Sequence, residues 1–148
     1  MNDALQAAAA AAALNEPEQE KLRLAFALAC TERVSHLLED PRATQALAVL
    51  EAYVEGRATP PMLEEARVRM ESVARSHPGS RSLDGAAHAA VSATYAVANA
   101  LAGRALDAAS YAAYATVYAY GGYAVSDPAA FESEFQWQLR EFTRLRSL

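Results

Sequence analysis

Residues 96–124 read AVANALAGRALDAASYAAYATVYAYGGYA. Because alanine is the strongest helix former, a segment this rich in alanine predicts helix rather than unstructured filler. A membrane span is disfavoured, since strongly apolar side chains are scarce and both Arg104 and Asp107 lie inside the segment. Helices that are small or apolar on every side belong at the centre of a bundle. The segment therefore predicts a close-packed central pair of helices, divided at Gly103.

Small residues at helical spacing would form the contact between these two helices. Such residues let helix axes approach to about 8 Å, the lower end of the usual range. A leucine at one of these positions would overpack the contact and lower stability by about 1–3 kcal/mol. The predicted contact positions are Ala98, Ala102, Ala105, Ala109 and Ala113.

Helix start and stop signals divide the rest of the chain, and no segment alternates as a strand would. DP at 40–41 and TP at 59–60 each combine an N-cap with a proline in the first turn, and HPGS at 77–80 predicts a turn. Short connections favour antiparallel neighbours, so we predict an all-α bundle of about six to seven helices. The first four predicted helices span about 2–14, 17–38, 41–55 and 60–76. The fifth begins at a cap at Ser82 or Asp84 and ends at 102. The sixth spans 104–120, and the seventh runs from 128 to the C-terminus.

The predicted helices are amphipathic, with apolar side chains on the face that would meet the rest of the bundle. On the exposed side of the fourth helix, Glu65 with Arg69 and Glu71 with Arg75 have the spacing of stabilising ion pairs. The predicted buried positions are Ala46, Val49, Leu50, Tyr53 and Val54 in the third helix, Leu63, Ala66, Met70 and Val73 in the fourth, and Phe131, Phe135, Leu139 and Phe142 in the last.

The N-terminal segment MNDALQAAAAAAALNEP carries Asp3 and lacks the lysine or arginine that opens a signal peptide. We expect residues 1–16 to form a helical arm that either fits against the domain or frays. Residues 17–148 have the length of one helical domain. Cys30 is the only cysteine, which excludes an internal disulfide and predicts a cytoplasmic location.

Charge and motif content narrow the possible functions. The chain has 18 acidic and 13 basic residues, a net charge of −5, so nucleic acid is not an expected partner. It contains no phosphate-binding glycine loop, no H-E-x-x-H and no cysteine pair for zinc. His36, His77 and His88 share no common spacing, and Cys30 lies on an apolar helix face. We therefore predict no cofactor, no metal, no catalytic residue and no enzymatic activity.

A tyrosine stripe follows the second helix of the central pair. Asp107, Tyr111, Tyr114 and Tyr118 are spaced i, i+4, i+7 and i+11, which places them along one side of a helix. Tyrosine is favoured at protein interfaces because it combines a large rigid apolar ring with a polar tip. The stripe therefore predicts either the edge of the core, with hydroxyls directed at water, or a contact surface.

Five short segments carry a family resemblance. They are ACTERV at 29–34, DPR at 40–42, AYVEG at 52–56, GRALDAASYA at 103–112 and FQWQLR at 135–140. In this order they resemble segments of the Imm-5-like putative immunity proteins of bacterial polymorphic toxin systems. The likeness runs from about residue 25 to the C-terminus and leaves the N-terminal arm outside. Ala100 and Arg104 stand where that family usually carries histidines, so no metal or catalytic residue is carried over.

The resemblance implies a cytoplasmic helical protein that protects its producer by binding and occluding a cognate protein toxin. Acidic groups would steer a basic toxin onto such a protein. Four glutamates on the exposed faces of the third and fourth helices are candidate contacts, and an ordinary solvated face is the alternative for them. Candidate partner-binding residues are Glu51, Glu55, Glu64, Glu65, Tyr111, Tyr114 and Tyr118.

The sequence is also compatible with a different class of function. The protein could be a non-catalytic adaptor or a homo-oligomeric scaffold, for example a homodimer. Its subunits would then meet through the tyrosine stripe or through the phenylalanine-rich helix at 131–142, because aromatic side chains are enriched at such contacts. The sequence names neither the toxin nor the surface that binds it.

Overall fold

A computed structural model describes residues 2–76 and 86–148, and within these ranges the chain forms helices and no strand. The predicted all-α bundle is confirmed. Four short 3₁₀ turns, at Pro17–Gln19, Ser35–Leu37, Gly122–Ser126 and Pro128–Phe131, connect the longer helices. The α-helices are α1 Asp3–Ala11, α2 Glu20–Arg33, α3 Pro41–Val54, α4 Pro60–Ser76, α5 Ala86–Leu101, α6 Ala105–Tyr120 and α7 Glu132–Arg146.

The alanine-rich helices α5 and α6 form the most extensive helix pair in the molecule, as predicted. Gly103 ends α5 with a left-handed φ of +75°, and the amide of Arg104 donates to the carbonyl of Asn99 at 2.9 Å. This is a Schellman ending, in which glycine avoids the strain that a side chain would meet at positive φ. The turn sends α6 back along α5 after three residues.

The small residues that build this contact are only partly the predicted ones. Ala105, Ala109 and Ala113 are buried, but Ala98 and Ala102 are half-buried at the edge of a cleft. The structure therefore buries the three predicted positions of α6 and leaves the two of α5 partly exposed at the cleft. Among the alanines of α5 and α6, those with no exposed surface are Ala93, Ala96, Ala100, Ala108 and Ala115.

Helix α2 lies at the centre of the remaining contacts and packs against α3, α5, α6 and α7. Phe26 of α2 meets Phe142 of α7 edge to face, with ring centroids 5.2 Å apart. Leu50 and Met70 bring α3 and α4 into the same core. The predicted apolar faces of these helices therefore do point inward.

Several predicted boundaries were wrong. The second helix stops at Arg33 rather than Leu38, because a 3₁₀ turn lets Val34 enter the core as the chain reverses toward α3. The last helix begins at Glu132, after a 3₁₀ turn that the Asp127 carboxylate caps through the amide of Ala129 at 3.0 Å. The predicted turn at 77–80 and the cap at Ser82 or Asp84 lie outside the described residues.

The first helix is also shorter than predicted, ending at Ala11. Ala13 adopts a left-handed φ of +52°, and the amide of Leu14 donates to the carbonyl of Ala9 at 3.0 Å. This ending turns the Leu14 side chain into the core, where Leu5 and Ala9 of α1 are also buried. The N-terminal arm is thus docked against the bundle, mainly along α7.

The exposed side of α4 carries one of its two predicted ion pairs. Glu65 and Arg69 pair at 3.0 Å, as predicted. Glu71 pairs with Arg67, one turn before it, at 3.4 Å rather than with Arg75, one turn after it. Across the described ranges, every helix is too short or too polar to cross a bilayer.

Candidate functional site

The four glutamates predicted as partner contacts are all exposed, near the loop between α3 and α4. Two of them have arginine partners on their own helix: Glu64 meets Arg67 at 2.6 Å, and Glu65 meets Arg69 at 3.0 Å. Such surface pairs add little stability, but they reduce the negative field that the two glutamates present. Glu64 and Glu65 are therefore the weaker half of the predicted acidic surface.

The other two predicted glutamates, Glu51 and Glu55, act on the carboxylate of Glu32. We call these three carboxylates the acidic patch. Partial burial, with the negative charges of Glu51 and Glu55, raises the pKa of Glu32 above its ordinary value. Glu55 also pairs with Arg57, whereas Glu32 and Glu51 form no ion pair with any described residue. Glu32 was not predicted, because packing of α2 beside α3 brings it to a helix far away in sequence.

The structure divides the tyrosine stripe. Tyr114 and Tyr118 remain neighbours, with ring centroids 6.2 Å apart, while Tyr111 stacks on Tyr95 of α5 at 5.4 Å. Tyr111 is 38% exposed and Tyr114 is 40% exposed. Each ring thus has one side against the protein and one side in solvent, as expected at the edge of the core, and a role as a contact surface stays a prediction. Asp107, at the start of the stripe, is exposed.

Tyr114 and Tyr118 belong to a longer row of touching rings, which we call the aromatic strip: His88, Tyr118, Tyr114, Phe131 and Phe135. Successive ring centroids are 4.9, 6.2, 5.0 and 5.6 Å apart, within the range of favourable aromatic contacts. The strip crosses from α5 over α6 and the 3₁₀ turn at Pro128–Phe131 to α7. It could not be read from one helix, because its members come from these four elements.

Three adjoining hollows meet at Phe135, between α1, α6 and α7, and we call them together the Phe135 groove. Their volumes are about 490, 390 and 90 Å³. The rings of Tyr114 and Phe131 line one end, and Asn2 of the N-terminal arm lines the other. Among the described residues that line the groove, the only charged ones are carboxylates, Asp107 and Glu132.

A separate cleft of about 400 Å³ lies between α4, α5 and α6, on the Tyr111 side of the stripe. It is lined by three guanidinium groups, those of Arg67, Arg75 and Arg104, and by the carboxylates of Glu71 and Asp107. Because the charges of both signs nearly cancel, the cleft has no strong preference for an ion of either sign. Tyr111 and Tyr114 therefore face different surroundings.

The last helix is anchored by polar groups that the sequence did not reveal. Arg33 makes two hydrogen bonds to the nearly buried Glu134 carboxylate, at 2.8 and 3.0 Å, and its guanidinium lies 4.3 Å from the centre of the Trp137 ring. The hydrogen bond to Glu134 raises the pKa of Arg33. Phe142 on the same helix is fully buried. Of the phenylalanines proposed for a contact between subunits, Phe131 and Phe142 are thus buried and Phe135 is half-buried, and the homodimer stays a prediction.

The described residues offer little for metal or nucleophilic chemistry. Cys30 is buried as predicted, and burial in apolar surroundings raises the pKa of its thiol well above the usual range, which suppresses its reactivity. No group of three or more His, Cys, Asp or Glu side chains within residues 2–76 and 86–148 is arranged to hold a metal. His77 lies outside the described residues.

Two of the segments that carry the family resemblance meet in space. Arg33, from the segment at 29–34, contacts Trp137, from the segment at 135–140. The sequence model of the family described as "Imm-5 like putative immunity protein" matches residues 12–145. The chain belongs to this family. Searches of the curated proteins and of the solved structures found no match.

The family match places most of the N-terminal arm outside the family's common part, since α1 ends at Ala11. Within the matched part, the two positions where the resemblance predicts histidine are unlike each other. Ala100 is fully buried, so an imidazole would not fit there without movement, and Arg104 is exposed at the start of α6. The two positions therefore do not form a common polar site.

Proposed function

We propose that this member of the Imm-5 like family neutralises a protein toxin by binding it and covering the surface that the toxin uses. Membership of a family of putative immunity proteins supports a role of this kind. Such a role needs a rigid framework and a complementary surface rather than a reactive group. A helical bundle with an extensive buried core supplies the framework.

The acidic patch is the observation that carries the proposal furthest. Partial burial of Glu32, together with the negative charges of Glu51 and Glu55, raises its pKa, so its ionised form is less favourable in the folded protein than in the unfolded chain. A cluster that lowers stability is typical of binding surfaces, where function and stability compete. A basic toxin surface placed over the patch would relieve the repulsion, and the net charge of −5 would attract it from a distance.

The first experiment identifies the partner. The tagged protein is used to capture its partner from a lysate of the source organism, and the retained proteins are identified by mass spectrometry. Each is then expressed in a bacterial host, with and without this protein. We expect one retained protein to stop growth and co-expression to restore it. If no retained protein is toxic, or if co-expression leaves the killing unchanged, the proposal is wrong, and self-association in place of capture would favour the homo-oligomeric scaffold.

The acidic patch can be tested with the captured toxin. Glu51→Gln should slow association by about fivefold at low salt, the effect of about 1 kcal/mol between two nearby charges in water, and added salt should shrink the difference. Glu18→Gln, in an exposed 3₁₀ turn, removes the same charge at another place and should change the rate little. Equal effects of the two variants would argue against the patch.

Glu32→Gln should weaken toxin binding while raising the stability of the free protein at neutral pH. Since the folded-state pKa of Glu32 is raised, stability is higher below the ordinary carboxylate pKa and falls as pH rises through the raised value. The glutamine amide does not ionise over this interval, so the stability of the variant should decline less. Denaturant unfolding at several pH values measures the difference. A variant that is less stable than the parent at neutral pH would contradict this explanation.

A further inference from the structure

The Phe135 groove exposes aromatic surface that the bundle does not use. Tyr114 leaves 40% of its surface open, although it lies against Phe131 on its other side. The adjoining hollows of about 390 and 490 Å³ share both Pro128 and Phe135, so the apolar surface is continuous. Continuous exposed apolar surface with rigid rings is typical of a protein contact, because burying such rings dominates binding energy.

The charges at the groove decide the chemistry of its occupant. Asp107 and Glu132 are both exposed, and no lysine or arginine is among the described residues that line the groove. An apolar segment that carries acidic side chains would be repelled here, while one that carries basic side chains would be attracted. The groove thus combines an apolar surface with charge of a single sign.

We propose that the Phe135 groove binds an apolar segment of the toxin that also carries arginine or lysine. This proposal rests on the toxin-binding role proposed above and adds a second contact surface to the acidic patch. The apolar side chains of the segment would fill the hollows beside Phe135. Its basic side chains would lie against the ring of Tyr114 and the carboxylates of Asp107 and Glu132.

An arginine that contacts both an aromatic ring and a carboxylate already occurs within this chain. Arg33 places its guanidinium 4.3 Å from the centre of the Trp137 ring while it hydrogen-bonds to the Glu134 carboxylate. An arginine gains from both contacts because its planar cation stacks on a ring face and donates to a carboxylate in the same plane. The groove offers a toxin arginine the same two kinds of partner.

A second copy of this chain is a poorer occupant. In a symmetric dimer the same surface meets itself, so Asp107 and Glu132 of one subunit would approach the carboxylates of the other. Like charges brought together at an interface oppose association unless a cation lies between them. The charge of the groove therefore favours a basic partner over self-association.

The decisive experiment measures the dissociation constant of the captured toxin for two pairs of variants. Tyr114→Ser removes the half-exposed ring, and Tyr120→Ser is its control, since Tyr120 is 86% exposed and outside the aromatic strip. Gln136→Arg places a positive charge at an exposed position in the groove, where it would repel a basic toxin segment. Its control is Thr143→Arg, which places the same charge at an exposed position two turns further along α7. We expect Tyr114→Ser and Gln136→Arg to weaken binding at least about tenfold, and each control to change it less than about twofold.

A second measurement keeps the groove testable if Tyr114→Ser fails to fold. Two synthetic peptides are titrated into the full chain, one alternating leucine with arginine and the other alternating leucine with glutamate. The arginine peptide should shift the NMR ring signals of Tyr114 and Phe135, and the glutamate peptide should not. Equal shifts with both peptides, or shifts only elsewhere, would overturn the proposed charge preference.

The two proposals can fail separately. A toxin that is neutralised equally well by the parent, Tyr114→Ser and Gln136→Arg would overturn the groove and leave the immunity role intact. Peptide shifts at the groove without any toxin among the captured proteins would overturn the immunity role. The groove would then stand only as a binding surface for basic apolar segments, and its assignment to a toxin would be wrong.

Discussion

The bundle holds α5 and α7 by opposite means. Helices α5 and α6 form a close pair that is rich in buried alanines, such as Ala96 and Ala108, whose side chains leave no exposed surface. Helix α7 is held by a large ring, Phe142, and by two buried polar side chains, Glu134 and Gln138. The α5–α6 contact depends on side chains being small. The packing of α7 depends on one large buried ring and on specific hydrogen bonds.

The two contacts should consequently fail in opposite ways. A close helix pair built from methyl groups has little to lose when a side chain is shortened, but no space for a longer one. An interface built around a large ring leaves a cavity when the ring is removed, because the surrounding backbone relaxes only partly. Shortening a buried side chain of α7 and enlarging one of α6 therefore test the two kinds of contact. Denaturant unfolding measures the change in stability in both cases.

The largest effect is expected from Phe142→Ala. The ring is fully buried and meets Phe26 edge to face at 5.2 Å, so its removal should lower the free energy of unfolding by about 3–5 kcal/mol. The control is Tyr120→Ala, which truncates an aromatic ring that is 86% exposed and should change stability by less than about 0.5 kcal/mol. If the two variants unfold at the same denaturant concentration, α7 is not anchored by Phe142.

A smaller loss is expected from Ala108→Leu in α6. The position has no exposed surface, so the added carbons should overpack the contact with neighbouring helices and cost about 1–3 kcal/mol. Ala119→Leu makes the same change at an exposed position of the same helix and should be nearly neutral. Unchanged stability in Ala108→Leu would show that the helix pair has spare volume and would remove the contrast with α7.

The same contrast explains how much of the fold could be predicted from the sequence. The alanine-rich pair is visible because composition alone indicates a crowded centre, and Gly103 and Asp40 indicate helix ends through local chemistry. The partial exposure of Ala98 and Ala102 was not visible, since the cleft that they line is formed by α4 together with the helix pair. The early end of α2 depends on burial of Val34, which is decided by tertiary packing.

The candidate site was predictable to a similar extent. The spacing of Tyr114 and Tyr118 on one helix indicated aromatic side chains on one side, but their contacts with His88 and Phe131 join different helices. Glu32 joins the acidic patch only because α2 and α3 pack together. Local patterns therefore identify individual side chains, and only the fold shows which of them form a common surface.

The smallest effect is expected from Gln138→Leu, which tests whether polar anchoring or ring packing holds α7. The Gln138 side chain donates to the carbonyl of Ala109 at 2.8 Å and accepts from Asn2 at 3.3 Å. Leucine has a similar volume, and both partners keep other hydrogen bonds, Ala109 within α6 and Asn2 with the carbonyl of Phe135. The loss should be about 1 kcal/mol, the net value of an ordinary hydrogen bond. Hydrogen exchange at the amide of Leu5 should quicken, because Asn2 also caps α1. A loss as large as that of Phe142→Ala would mean that the buried amide is the principal anchor of α7.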